Sequence, residues 1–431
     1  MEARLRRLLV KGGNLLDPRA DQLLGKHDVL IEDGMIREVS PHPLSANNAD
    51  VLSGEGLTVM PGLIDLHAHP TATQLNLGQQ FSEPNTLVTL KAARILEAML
   101  RRGFTTVRDA SGADYGLKKA VEVDLAVGPR LFISGRALSQ TGGHGDIRRR
   151  SGDFLSAMQP CACCFRVGQR GRIADGVDEV RRAARQELQM GADQIKIMVS
   201  GGVASPTDPV GALGYSVEEI RAIVQEAEAR GTYVLAHAYT SAAITRAVEC
   251  GVRSIEHANL ISAEAASLVA RHGAFVVPTL VTYDALQSEG ASLGLPPESV
   301  AKIQDVHGAG LQSLDILRRA GVKIGFGTDL LGASHRHQSG EFRIRRQVLS
   351  AQEVIQSATT TAASVLRMDG RLGRLQPGAI ADLLLVKGDP YADIECLVGQ
   401  GERIPVVVKD GKVYFNDLTR AVDVPGSHSV R

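Results

Sequence analysis

Two histidines in the stretch LIDLHAH, His67 and His69, stand one residue apart at the end of an apolar run. Side chains along a strand alternate with period two, so both imidazoles project from one face and reach a single ion. His237 closes VLAH, His257 closes SIEH and Asp329 closes GFGTD, each at the end of a short apolar stretch. Imidazole and carboxylate are ordinary ligands of a divalent cation. One strand-end histidine is usually a satisfied core or loop residue. Four of the chain's twelve histidines at equivalent places, together with an aspartate, make the pattern of a metal centre.

Lys196 sits in the middle of QIKIMVSGG, whose apolar residues fit a strand covered on both faces. A buried ammonium loses hydration worth several kcal/mol unless it is paired or deprotonated. Two outcomes are open. The amine pairs with Asp329 or Glu256, or it captures CO2 to give an N-carboxylate whose two oxygens bridge two cations.

The elements that must position these groups are visible as a repeat. From about residue 84 to residue 330 an amphipathic helix, a glycine and a short apolar strand recur, at joints such as RRGFTTV, QMGADQIKI, ARGTYVLAH, ECGVRSIEH, RHGAFVVPT and RAGVKIGFG. Each glycine falls where a helix C-cap needs a left-handed residue. With GLIDLHAH before the repeats and PRLFISGRA between them, eight parallel strands fit a (β/α)8 TIM barrel, whose active site lies at the C-terminal strand ends. A doubly wound sheet fits less well, because no GxGxxG opens a helix after the first strand. Both chain ends read as short β runs, two of them hinged on Asp-Gly turns. The expected organisation is a composite β-sandwich from residues 1–59 and 369–431, flanking a barrel at 60–368.

Composition narrows the partners. The chain has 431 residues with 48 basic and 48 acidic side chains, so it offers no basic face to nucleic acid. No run reaches the ~18 apolar residues of a membrane span, and the N-terminus lacks a signal-peptide core. A small-molecule substrate and a cytoplasmic location are expected. Cys161, Cys163 and Cys164 in CACC are spaced too tightly for a CxxC zinc knuckle and read as loop thiols. Arg108 and Asp109 are expected to form an internal ion pair, and the loop residues His335, His337 and Glu341 receive no role.

VMPGLIDLHAHP, GFTTVRD, IKIMVSGG, VLAHAY, GVRSIEHA, GFGTD and LGRLQPGAIADLLLV resemble the amidohydrolase superfamily over essentially the whole chain. TGGHGD and SGGVASPTDPVG resemble its Xaa-Pro dipeptidase and carboxypeptidase branch, which includes hydrolases of N-acyl amino acids and of the ochratoxin amide. The resemblance implies two zinc ions. His67, His69, Lys196 and Asp329 would hold one, and Lys196, His237 and His257 the other, with Lys196 N-carboxylated and bridging. Such a pair lowers the pKa of a bridging water from about 15.7 toward ~7, making hydroxide at neutral pH. Asp329 would take its proton and pass it to the departing amine. Tyr239, two residues beyond His237 and so on the same face, would donate to the oxyanion. His144, between glycines in TGGHGD, would bind a substrate carboxylate or the scissile carbonyl. The family commonly forms symmetric assemblies, so a homo-oligomer is expected.

Three other functions compete. A cyclic-amide hydrolase or deaminase of the imidazolonepropionase type usually holds one metal and lacks the lysine of the fourth strand. A lactonase or phosphotriesterase would use the same centre on an ester. A non-catalytic binding relative should have lost ligands, yet all six positions are filled.

Overall fold

The computed structural model describes residues 6–80, 82–146, 148, 167–203, 205, 208–292 and 297–418. The chain opens with strands β1 (Arg7–Leu15), β2 (Lys26–Glu32), β3 (Met35–Ser40), β4 (Asp50–Ser53) and β5 (Thr58–Pro61). β1 serves two parallel partners, β4 beside Leu8–Lys11 and β5 beside Asn14 and Leu15. The change of partner falls beside a bulge between Val10 and Gly13 in the pairing of β1 with β2. A Cβ on Gly13 would stand 2.1 Å from the Val59 side chain, so only glycine lets the strands approach there.

Gly62 alone separates β5 from β6 (Leu63–Ala68), which carries the chain into the parallel layers. β6 pairs with β7 (Phe104–Asp109), and β7 with β8 (Arg130–Phe132). The next strands are β9 (Ala137–Ser139), β10 (Gly171–Ile173), β11 (Ile195–Met198), β12 (Val234–Thr240), β13 (Ser254–Leu260), β14 (Phe275–Val277) and β15 (Lys323–Ile324). They form a seven-stranded parallel sheet in the order β10-β9-β11-β12-β13-β14-β15. Backbone hydrogen bonds join it to the three-stranded sheet beside β15 and beside β11. Leu66 N–H of β6 donates to Phe326 O, just past β15, at 2.8 Å, while Asp193 N–H, just before β11, donates to Ile133 O, just past β8, at 2.7 Å.

Helices connect these strands, and their sequences say why. In Val217–Ala229, Ile220, Ile223, Val224 and Ala227 fall at three and four spacing and are buried, while Ser216 and Glu219 close a capping box at the first turn. Each large apolar side chain buried this way contributes about 1.5–3 kcal/mol. All six joint glycines end their helices with positive φ, from 65° at Gly273 to 97° at Gly191. Among the described residues no helix is long and apolar enough to cross a membrane.

The chain then returns to the first sheet with β16 (Leu383–Val386), β17 (Val406–Lys409) and β18 (Lys412–Asn416). The eight strands of the two chain ends share one hydrogen-bonded sheet, β18-β17-β16-β5-β1-β2-β3, with β4 attached to β1. Its core mixes Leu8, Val10, Val29 and Ile31 with Leu383, Leu385, Val406 and Val408. Both Asp-Gly pairs, Asp33-Gly34 and Asp410-Gly411, have positive φ at each residue, which fits the tight turns of the β2–β3 and β17–β18 hairpins.

Candidate active site and metal centre

Asp329 is the point of convergence. Its Oδ1 lies 3.0 Å from His69 Nε2 and 3.5 Å from His67 Nε2, and its Oδ2 lies 3.9 Å from His257 Nδ1. Among the described residues His67, His257 and Asp329 bring ligand atoms within 4.8 Å of one another. His237 stands beside them, its ring 4.6 Å from that of His257. That triplet draws from both of the ligand sets that the resemblance implies.

Backbone conformation explains this convergence. His257 and Ala258 have φ of 75° and 58°, which interrupts the alternation of β13. Adjacent side chains, Glu256 and His257, can then both face inward: Glu256 Oε2 meets His67 Nδ1 at 2.7 Å while the His257 ring lies 4.9 Å from that of His67. Asp329 is left-handed too, with φ of 52°, and its N–H donates to His67 O at 2.7 Å. Strain of this kind collects where a site dictates the backbone.

Each imidazole is oriented by a second partner. His69 Nδ1 is 3.0 Å from Ser111 O, His237 Nε2 is 3.0 Å from Gly201 O, and His257 Nδ1 is 2.8 Å from Thr279 Oγ1. A ring nitrogen tied to a carbonyl carries the proton and leaves the other nitrogen its lone pair. Burial pushes the imidazoles of His67, His237 and His257 well below the ordinary range and His69 to about 4. Burial raises Asp329, but the neighbouring His67 and His69 outweigh it and hold the carboxylate below its usual range. Neutral imidazoles around an ionised carboxylate are a donor set that suits a divalent cation.

Lys196 lies on β11, beside Leu235 of β12, and is 1% exposed. Burial lowers its amine to about 8, against the opposing pull of Glu256 and Asp329. The ordinary ion pair with either carboxylate is not made: Glu256 is taken by Arg108 and His67, and Asp329 by the histidines.

Residues 58–414 match the Amidohydrolase family. The chain belongs to the amidohydrolase family. It is 33% identical to the ochratoxinase of Aspergillus niger over 364 residues, 83% of this chain and 75% of that protein. A solved amidohydrolase shares 65% identity at a TM-score of 0.94, covering 96% of this chain and 100% of its own. A prolidase solved in complex with N-methylphosphonate-L-proline shares 54% identity at a TM-score of 0.92, covering 95% of this chain and 100% of its own. This amidohydrolase is accordingly a hydrolase of amide bonds.

The remaining expected residues divide between site and scaffold of the amidohydrolase. His144 stacks on His237 with ring centroids 4.2 Å apart, and its Nδ1 has no hydrogen-bond partner among the described residues. Tyr239 lies edge-on to His237 at 4.8 Å, and its hydroxyl is 2.8 Å from that of Tyr283. Arg108 does not pair with Asp109, because neighbours on a regular strand point to opposite faces; it donates to Glu256 Oε1 at 2.8 Å. His335 is buried against Ala72 O, His337 pairs with Glu289, and Glu341 accepts from Arg345. The CACC cysteines lie outside the described residues.

Sequence reasoning did not single out Arg170, Thr279 and Tyr283, and it saw Glu256 only as a partner for Lys196. Glu256 had a signal, since an acid directly before a strand-end histidine is costly in a core. Arg170 had none: its place follows from a segment with no apolar periodicity.

Proposed function

We propose that this chain is a binuclear zinc amidohydrolase that releases an amino acid from a dipeptide, a peptide C-terminus or an N-acyl amino acid, the ochratoxin-type amide included. The observation that carries the reading is Asp329 ringed by His67, His69 and His257, with Lys196 buried and without an ion pair among the described residues. The kinship with proteins named ochratoxinase and prolidase supports the bond type.

His67, His69, Lys196 and Asp329 would hold one ion and Lys196, His237 and His257 the other, with Lys196 bridging as its N-carboxylate. When bound, such a pair of cations supplies a water of lowered pKa and polarises the scissile carbonyl. Asp329 accepts one proton of the attacking water, whose oxygen joins the carbonyl carbon. The C–N bond then breaks, and Asp329 returns that proton to the departing nitrogen. Tyr239 donates a hydrogen bond from its hydroxyl to the carbonyl oxygen as negative charge grows there, keeping its proton, having exchanged its bond with Tyr283. His144 orients the substrate from the opposite side of His237.

The same reading takes the two parallel sheets as one closed (β/α)8 barrel over residues 60–368, with 1–59 and 369–431 as a composite β-sandwich. The edge hydrogen bonds of β6 and β8 support closure. It also takes the protein as a cytoplasmic homo-oligomer acting on small molecules.

The test is hydrolysis of N-acyl amino acids, Xaa-Pro dipeptides and ochratoxin A by the zinc-loaded enzyme. Turnover should vanish on chelation and fall at least about a thousandfold in Asp329→Asn without loss of fold. Full activity in that variant refutes the proton transfer, and no cleavage of any amide by the zinc-loaded wild type refutes the reading.

A further inference from the structure

Helix Leu280–Glu289 serves two places at once. One side of it reaches the centre: Thr279, just before the first turn, has its Oγ1 2.8 Å from His257 Nδ1, Thr282 Oγ1 donates to Asp329 O at 2.9 Å, and the Tyr283 hydroxyl is 2.8 Å from that of Tyr239. Val281, Asp284, Ala285 and Ser288 recur at three and four spacing, which puts them on the other side. They line a separate cavity of about 330 Å³, bordered by none of the expected metal ligands. A space of that size holds a small molecule.

The rest of its wall is polar and incompletely satisfied. Ser339 lines the cavity at 1% exposure, and its Oγ has no hydrogen-bond partner among the described residues. Gln400 lines it too, and its Oε1 accepts from a terminal nitrogen of Arg102 at 3.0 Å. Whereas Arg170 stands at the centre, 2.7 Å from His69 Nε2, Arg102 lies behind this second cavity. It is 2% exposed, its Nε donates to Gln338 Oε1 at 3.0 Å, and its other terminal nitrogen has no partner among the described residues. It forms no ion pair among them, and Asp65 acts on it only from farther away. A buried guanidinium cannot shed its proton, so its field reaches the cavity wall with a neutral amide between. The rim charges are already paired, Arg336 with Glu289, Arg343 with Glu395 and Asp284 with His307. Val281, Ala285, Ile344 and Val398 give the wall its apolar part.

We propose that this cavity binds a small monocarboxylate with a short apolar body, a free amino acid or a plain branched-chain acid, and that its occupancy alters turnover. The unused Ser339 donor and the positive field behind Gln400 suit the carboxylate, and the apolar wall suits the body. Two hydrogen-bonded routes lead from there to the centre. One is the helix, through Thr279, Thr282 and Tyr283. The other runs from Gln400 through Arg102 and Gln338 to Asp65 Oδ2, which Gln338 reaches at 2.9 Å, while Asp65 Oδ1 accepts the N–H of His67 at 3.0 Å. The site lies outside the amide-hydrolase reading, which supplies only the kinetic readout.

The experiment titrates zinc-loaded wild type, Ser339→Ala and Ser288→Trp with isocaproate, isocaproamide and L-leucine by calorimetry. Wild type should bind isocaproate with a Kd of about 1 mM or tighter, and the amide at least about tenfold more weakly. Ser339→Ala should weaken isocaproate roughly threefold or more. Ser288→Trp, on an exposed turn of the helix, should fill the cavity and remove binding; if it does not fold, Ser339→Ala decides. L-Leucine binding as tightly as isocaproate assigns the site to amino acids, and binding at least about tenfold weaker assigns it to acids without the ammonium, each in support of the class. With isocaproate bound, kcat at saturating N-acyl amino acid should change at least about twofold in wild type and not in Ser288→Trp. No binding, equal binding of acid and amide, binding that survives both variants, or an unchanged kcat overturns the proposal. If wild type cleaves no amide, that reading has failed instead, and the titrations decide the cavity alone.

Discussion

Glu256 holds His67 Nδ1 at 2.7 Å, and Arg108 and Ser254 in turn hold Glu256 Oε1 at 2.8 and 2.6 Å. At the scale of single residues the centre is a nested set of such supports, and Lys196 makes no ion pair among the described residues. Lys196→Ala should therefore lose the paired metals and recover part of both metal content and turnover with added short carboxylic acids; a metal-replete, fully active variant would sink the bridge. His335 gives a prediction in pH. Burial holds its imidazole down at about 3, against 6.5 for the free group. Between those values the unfolded chain carries the proton and the folded chain does not, so stability rises with pH and is lost on acidification. From pH 6.5 to 5 this group should cost about 2 kcal/mol, and His335→Gln should flatten the slope of urea midpoint against pH. That His67, His257 and Asp329 stand together was legible because strand period and strand ends are written in the sequence. Arg170 and the pairing of Arg108 were not, since each depends on a chain path that no local pattern encodes.

Among the elements, the glycine-rich segment after β11 is held by helix Pro297–His307. The Lys302 ammonium donates to Gly202 O at 3.3 Å and to Ser205 O and Asp208 O, both at 2.8 Å. That segment also supplies Gly201 O to His237, and a Cβ on Gly202 would lie 2.3 Å from the His144 ring. Lys302→Met should raise KM several-fold with a smaller change in kcat, and should speed proteolytic cleavage between residues 201 and 214; unchanged values of both would show that the clamp is dispensable. The helix and glycine repeat announced the order of these elements. It did not announce how brief β15 would be. A Cβ on Gly327 would lie 2.5 Å from Val277 Cγ1 and 2.8 Å from His67 Cβ, so the chain leading to Asp329 runs too close to its neighbours for a regular strand.

Across the whole molecule, the terminal sheet and the parallel layers are riveted by Arg130. One of its nitrogens donates to Asp382 at 2.6 Å and another to Asp410. Around it, Met60, Leu384 and Val407 share a core with Leu96, Leu100 and Phe104. Arg130→Ala strands a buried Asp382 and should lower stability by roughly 2 kcal/mol after allowing for the exposure of Asp410, read from urea unfolding, with kcat nearly unchanged. That the two chain ends belong together was legible in their short β runs and Asp-Gly turns. That β1 would change partners at Gly13 was not, because only the distance to Val59 requires it.

The pairing of β5 with β16 joins Thr58–Pro61 to Leu383–Val386, more than three hundred residues later. During synthesis the first five strands leave the ribosome long before their partner exists, so β5 waits with an open edge while the parallel layers form. Nascent chains stalled short of β16 should be the species that chaperones hold, and a stop codon near residue 380 should yield aggregates rather than a smaller working enzyme.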